Sequence, residues 1–428
     1  MRALARIAAV AVAGAALYYA GIVNSIILTH PGRPGVGAVV LGIGLAIAIL
    51  LVAVAGTGRD DAVAPMPGRT WFVRGVWVFV SVMALVGFGW LVDMPRQHSL
   101  DWTPYHNDAI ALNECAARLV LQGRDPYTDL DVFACYGSLG IGPDRTTPLR
   151  RGAFADVAIY PSDDQLDQVW DQRASGIGTN DEFVWRPSYP AVSFLALLPM
   201  VALGWDTNYL YVACLLVAMA LILVRSSRTL RPFFLTALLG ASSLTAFTVG
   251  GSSDLLYALP LVVAWMYRDR KWAGIPLGMA LATKQIAWFF APFWIIAVVT
   301  ERGWRAAARD LAIAAAVFGV TNLPFIVHDR QAWIAGILTP VVAYSALEAI
   351  AGIICLVIAW RARRTSPELG SILAIVPLFF AWRSLFSYFF LLPLFAFAAI
   401  ARMPIGELAF ERARKLGGLT IFAAPSRP

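Results

Sequence analysis

Charge is what this chain has least of. Only 14% of its 428 residues are charged, while 59% are hydrophobic. So few charges cannot cover that much apolar surface in water, so the composition excludes a soluble domain and points to an all-α polytopic membrane protein. Alternating segments of about ten residues, the mark of a membrane β-barrel, are absent. The apolar runs instead approach the roughly 20 residues of a spanning helix, which satisfies its own backbone in lipid. Nor is there a charged tail able to follow a phosphate backbone. The 34 Lys and Arg exceed the 27 Asp and Glu by seven, but the basic residues stand in short clusters between apolar runs, as orientation signals do. Nucleic acid is therefore not an expected partner.

Cysteine and histidine are scarce too, at four each. None stands at metal-ligand spacing, so neither a metal nor another cofactor is expected. Cys214 and Cys355 lie in apolar runs and read as small core residues. Cys115 and Cys135 share a polar stretch; facing an oxidising exterior they would form a disulfide, and otherwise they remain free thiols. The first apolar run is long for a signal sequence and lacks a small-x-small cleavage site, so it is expected to be a retained helix. No inverted internal repeat of the transporter kind is visible.

What is present begins with three apolar runs, Ala5–Leu28, Gly35–Ala55 and Phe72–Leu91. Arg2 and Arg6 precede the first, and Arg59, Arg69 and Arg74 flank the connection before the third, which puts the N-terminus in the cytoplasm and the segment after Asp93 outside. The chain then divides into N-terminal membrane helices (1–93), an external loop (94–187), a membrane bundle (188–402) and a cytoplasmic tail (403–428). The loop holds about half of the acidic residues. In it, His106–Tyr127 reads as a juxtamembrane amphipathic helix, with Asp108 opening the pattern, Leu112, Cys115 and Leu119 on one face, and Gly123 closing it. Gly137–Asp181 is rich in Gly, Pro, Asp and Thr, shows no helical period and reads as irregular.

Apolar runs resume at Pro190–Leu203 and continue through Tyr209–Val224, Pro232–Val249, Leu255–Met266, Trp272–Thr283, Ile286–Val299, Ala306–Ile326, Ile337–Trp360, Gly370–Ala381 and Leu385–Ile400. Arg225–Arg231, Arg268–Lys271, Arg302–Arg309 and Arg361–Arg364 should share the cytoplasmic side. Alternation then requires Pro190–Leu203, short and with two prolines, to be re-entrant or juxtamembrane. Several other runs are also short, as expected of broken helices around a water-filled cavity.

Ionisable groups at the external ends of membrane helices are functional candidates because hydrocarbon disfavours them. Asp108 suits a helix cap or a general base equally. Asp101 and Asp125 compete with it as the working carboxylate. Lys284 stands between apolar runs with no adjacent acid, either snorkelling or offering a fixed charge to an anion. Arg383, between Trp382 and Tyr388, suits a lipid phosphate. Glu348 is a partner for Arg383 or Lys284. His328 caps a loop or bonds substrate, and Asp254, after Gly250-Gly251-Ser252-Ser253, is a turn signal or a ligand for sugar hydroxyls.

These residues resemble the GT-C membrane glycosyltransferases, within them the polyprenyl-phosphate-sugar branch of bacterial α-mannosyltransferase-like proteins. The resemblance covers roughly 100–335. It rests on Asp108 early in the first long outer loop, Gly123-Arg124-Asp125-Pro126-Tyr127, Tyr189-Pro190, Thr283-Lys284-Gln285, and Asn322-Leu323-Pro324-Phe325 followed by Trp333. It departs where Ala191 replaces a second proline, where Gly250–Asp254 replaces a Gly-Gln-x-Asn-like turn, in two spans that precede the usual single helix before the loop, and in a longer loop. It implies a GT-C-like bundle of about 11–13 membrane helices in the cytoplasmic membrane with its active site outside. It also implies transfer of mannose or a related hexose or pentose to a lipid-linked or cell-envelope acceptor. Asp108 would be the general base and Lys284 and Arg383 would face the donor phosphate. Asp101, His106, Tyr127, Tyr189, Asp254, His328, Glu348 and Tyr388 would line the substrate. The donor is a monophosphate and requires no metal, although Asp101 and Asp108 could together hold a divalent ion. A lipid or solute transporter or flippase is the alternative reading of charges on short helices, and a non-catalytic scaffold presenting the acidic loop is a third.

Overall fold

The computed structural model describes residues 2–28, 44, 69–101, 105–142, 163–175, 187–338, 346–380 and 387–403, and all regular elements among them are helices. The expected span Gly35–Ala55, Arg383 and most of the C-terminal tail lie outside the described residues. The first two long helices, α1 (Arg2–Leu28) and α2 (Arg69–Leu100), run in the same direction. Leu4 lies against Arg74 and Trp77, and further along the Tyr18 ring is 5.4 Å from that of Trp90.

The loop between α2 and the bundle is largely helical. It contains α3 (Asp108–Leu121), α4 (Pro126–Asp129), α5 (Val132–Ser138) and α6 (Asp163–Ala174). The last corrects the expectation of irregular structure: the spacing of Leu166, Val169 and Trp170 in the sequence is helical, and two aspartates open the helix where its dipole favours them. The first two turns of α3 differ from a surface amphipathic helix, because residues 110–117, Asn113 and Glu114 included, are all buried. Two short helices, α7 (Val192–Leu195) and α8 (Leu198–Ala202), pack on α3. With four and five residues at about 1.5 Å per residue, neither can cross a bilayer. Apolar sequence is used here to cover the loop helix.

The bundle follows as α9 (Asn208–Arg225), α10 (Arg231–Gly240), α11 (Ser242–Val249), α12 (Leu255–Met266) and α13 (Gly274–Leu281). It continues through a 3₁₀ turn at Gln285–Phe289 to α14 (Phe290–Arg302), α15 (Trp304–His328), α16 (Arg330–Leu338) and α17 (Ala346–Ala362). It closes with α18 (Leu369–Leu373), α19 (Ser387–Phe390) and α20 (Leu392–Arg402). By length and composition four helices can cross a membrane: α1, α2, α9 and α15. The pair α10–α11, bent by 56°, is a broken span or a re-entrant loop, and counts as a fifth only in the first case. The other apolar runs among the described residues fold as shorter helices broken into pieces. Close approaches lock the pieces together. A Cβ on Gly240 would stand 2.6 Å from the Val80 carbonyl oxygen, and one on Gly274 would stand 2.2 Å from that of Asp310.

The arginines at the ends of α9, α14 and α20 gather with the α12–α13 turn at one end of the bundle. Arg268 is fully buried and bonds Glu301 at 2.5 Å and Glu368 at 2.5 Å. Arg302 donates to the Arg268 carbonyl at 2.6 Å, Arg402 reaches Glu368 at 3.3 Å, and Arg225 lies 3.9 Å from Asp269. The opposite end carries α3 and the turns before α9 and α12.

Cys115 on α3 and Cys135 on α5 are joined by a disulfide, with Cα atoms 6.2 Å apart. The 20-residue separation makes the bridge worth about 2–4 kcal/mol by chain-entropy reasoning. Replacing both cysteines by serine should lower the melting temperature of the detergent-purified protein and expose 108–138 to protease. Identical melting and digestion of parent and variant would remove the bridge from the account of the loop's order.

Candidate functional site

The α3 end of the bundle is organised by one sharp approach. Gly251, at φ +88°, sits where a Cβ would stand 2.1 Å from the Tyr105 carbonyl oxygen, so only glycine fits. Asn107 reinforces the contact by donating to the Gly251 carbonyl at 3.1 Å, and its own carbonyl oxygen Oδ1 accepts from Ile110 N at 3.1 Å. Asn107 is therefore the N-cap of α3. Asp108 follows as the first helical residue, half-buried, with Oδ1 2.7 Å from Ala109 N. The capping role weighed for Asp108 belongs to its neighbour, and its charge sits at the favourable pole of the helix.

The same turn delivers Asp254. Its side chain makes no capping bond. Instead it is buried in an ion pair with Lys284, whose ammonium is also buried. Lys284 thus has an acid partner 30 residues away in sequence, which its apolar neighbours conceal. The residue lies where α13 ends and the backbone opens to φ −155° and ψ 140° before the 3₁₀ turn. Its Nζ lies 4.9 Å from the centre of the Tyr189 ring and 5.8 Å from that of Tyr388. Two aromatic faces and a carboxylate together stabilise a cation that isolated burial would neutralise.

Residues 188–192 form a strap across this pair, held from four directions. Gln285 Nε2 donates to the Ser188 carbonyl at 2.6 Å, and the fully buried Tyr127 donates its hydroxyl to that of Tyr189 at 2.8 Å. Ala191 N donates to Asn322 Oδ1 at 3.0 Å, and Val192 N donates to the Ala282 carbonyl at 2.9 Å. Trp333 Nε1 also donates to Asn322 Oδ1, at 3.3 Å. Tyr127 thus supports the strap, and its buried hydroxyl is committed to it.

The other candidates disperse around this centre. Asp125 caps α4 by accepting from Tyr127 N at 2.8 Å, and burial raises its pKa, with Asp129 and Asp329 adding to the effect against the bond from Tyr127 and the nearby His328. His328 is exposed at the end of α15, and it is Asp329 that caps α16, accepting from Ala332 N at 2.8 Å. Glu348 is buried in the first turn of α17, and Asp101 is exposed at the end of α2. Among the described residues no three His, Cys, Asp or Glu side chains converge as metal ligands.

His106 opens a separate feature, a cavity of about 350 Å³ between α2, α3 and the turn before α9. It bonds Glu114 at 3.1 Å, and Glu114 accepts from Thr207 at 2.5 Å. Across the cavity His98 bonds Asp206 at 2.5 Å. Burial opposes ionisation of Asp206, but the hydrogen bonds from His98 and from Asn208 N outweigh it and hold its pKa low. Glu114, Asp206 and Thr207 escaped the sequence reading, because Glu114 in an amphipathic helix and Asp206-Thr207 between apolar runs resemble helix-surface and turn residues.

Fold and site thus define an all-α membrane protein with a buried charge pair and a polar cavity at one end. Residues 187–348 match the model of glycosyltransferase family 87, a stretch that includes Tyr189, Asp254, Lys284, His328 and Glu348. This match supports a membrane glycosyltransferase. The comparisons with curated proteins and with solved structures gave no match.

Lys284→Met would leave Asp254 buried and unpaired, an expected loss of about 3–5 kcal/mol. Lys284→Met with Asp254→Asn should regain most of that stability in a thermal melt without regaining activity. A double variant as unstable as the single one would show that the pair is not an isolated unit.

Asp125 gives a pH signature. Its folded pKa lies above the unfolded value near 3.8, so the folded state holds the proton more tightly and loses stability as pH rises between the two. Asn caps a helix as well as Asp. Asp125→Asn should therefore raise the melting temperature at pH 7, with the gain vanishing as pH falls towards about 4. A gain independent of pH would mean that ionisation of Asp125 is not its origin.

Proposed function

We propose that the chain transfers a sugar, mannose or a related hexose or pentose, from a polyprenyl-phosphate donor to a lipid-linked or cell-envelope acceptor. The observation that carries this reading is the buried Asp254–Lys284 pair beneath Tyr189 and Tyr388, inside the stretch matching a glycosyltransferase family and beside the N-terminus of α3. A buried lysine ammonium held by a carboxylate at one end of a membrane bundle suits an anionic headgroup. A transporter would need its charged groups near the midplane.

In the proposed reaction the acceptor hydroxyl gives its proton to the Asp108 carboxylate as its oxygen bonds the anomeric carbon. The bond from that carbon to the phosphate oxygen breaks, and the lipid phosphate leaves with the electron pair. The attack is one displacement and inverts the centre. Lys284 has three N–H donors; Asp254 takes one and fixes the ammonium, leaving the others for the departing phosphate. Arg383 is assigned the same phosphate. His106, Tyr388 and Asp254 would sit around the sugars, with Asp101, His328 and Glu348 further out. The reading needs no metal. Gathering of the arginine-bearing helix ends at the far end supports a cytoplasmic N-terminus and an external site in the cytoplasmic membrane.

Asp108→Asn should lower transfer by about 10²–10⁴-fold while donor binding persists. The assay incubates purified protein with a panel of polyprenyl-phosphate sugars and an envelope-lipid extract, reading lipid-phosphate release. Near-normal turnover in the variant would end the general-base assignment. Lipid moved unchanged across proteoliposomes, with no sugar released, would favour the transporter.

A further inference from the structure

The cavity beside His106 has a shape that the charge pair does not explain. Its inner wall is polar and rigid: Glu114 is held by His106 and Thr207 through Oε1, and Asp206 is held by His98, whose other ring nitrogen is 3.1 Å from the Val249 carbonyl oxygen. Glu114 is 6% exposed, and its Oε2, which has no protein partner among the described residues, is left for the cavity. Arg118, exposed at the rim, has no acid partner among the described residues either. Trp205 forms the outer wall and is 60% exposed.

Beyond Trp205 the character changes. A groove of about 580 Å³ runs from the same turn down the first turns of α9, lined by Met200, Leu210 and Ala213. Cavity and groove share Gly204, Trp205, Asp206 and Tyr209, so they are one continuous surface with a polar head and an apolar tail. Helix α9 is long and apolar enough to cross the membrane, so the tail of the groove lies where lipid chains lie.

We propose that this surface binds a membrane lipid with a polyhydroxylated headgroup, and that it is the docking site of the glycolipid acceptor. The proposal rests on the glycosyltransferase reading for the word acceptor and on the cavity alone for the ligand. Hydroxyl groups donate to Glu114 Oε2 and accept from Arg118, a sugar face lies on Trp205, and the alkyl chain follows α9. Free sugar would gain the head contacts without the groove; a simple fatty chain would gain the groove without the head. His106 lines the cavity two residues before Asp108, so a headgroup held there presents its hydroxyls towards the start of α3.

The test uses the full chain in lipid nanodiscs and an octyl glucoside analogue carrying a photoreactive diazirine in its alkyl chain. The probe should label the 200–213 peptide in preference to a second, mainly apolar groove lined by Pro292, Ile295, Ile353, Leu356 and Trp360, with Arg361 at its edge, and an alkyl diazirine without sugar should show no such preference. Arg118→Ala and Trp205→Ala alter exposed side chains and should preserve folding, and each should weaken labelling by about tenfold, the loss of one charge-assisted hydrogen bond or of the stacking face. Equal labelling of both grooves, or labelling unchanged in the two variants, would overturn the site. Failure to label while polyprenyl-phosphate sugars are turned over would sink this inference alone. Specific labelling without turnover of any donor would keep the lipid site and sink the glycosyltransferase reading.

Discussion

A lysine ammonium shut away from water in a membrane protein is stable only if its surroundings replace the lost hydration. Lys284 meets that constraint with Asp254 as counter-charge and the faces of Tyr189 and Tyr388 around it. Much of this end of the molecule follows from keeping those four side chains in register. Asp254 requires the turn at Gly251 to press against Tyr105, which in turn sets the start of α3. Lys284 requires α13 to stop short, since a continuing helix would not hold the residue in extended backbone.

The strap explains why residues so far apart in sequence belong together. Tyr127, Gln285 and Asn322 lie on three separate elements, and each spends its polar atoms on the backbone of 188–192. Residues 188–191 of the strap precede α7 and have backbone groups with no ladder or helix to satisfy them, and buried unpaired groups are costly. Side chains must therefore come to it. That requirement turns several weak sequence signals into one structural device, with Tyr189 held over Lys284 as its product.

The sequence made the helical class plain because periodicity and scarcity of charge are local properties. The break in Pro190–Leu203 was legible for a similar reason: two prolines interrupt a short run, and it folds as the short helices α7 and α8. Pairings were not legible. Nothing near Lys284 announces Asp254, and nothing in the α3 pattern announces that Glu114 is buried against Thr207. The Asn107–Asp108 step shows the limit at finest grain. Both residues are good caps, and the choice between them was made by Gly251, whose carbonyl Asn107 reaches at 3.1 Å.

The two ends of the bundle handle charge in opposite ways, and the contrast bears on function. At the arginine end, Arg268 shares Glu301 and Glu368 with Arg402, and Arg302 bonds the backbone beneath it. Those guanidinium groups are spent on one another's acids and on carbonyls, which ties together the ends of four helices and leaves little to offer a ligand. At the α3 end the charges are held singly, each with spare hydrogen-bonding capacity: Lys284 beside Asp254, and Glu114 beside His106 and Thr207. A rigid far end and short, broken helices near the α3 end let backbone and polar side chains enter the membrane boundary without unfolding the bundle. The proposed group transfer from a lipid carrier would use that arrangement. The reacting headgroup must meet fixed charges at the surface while its chain remains among the helices.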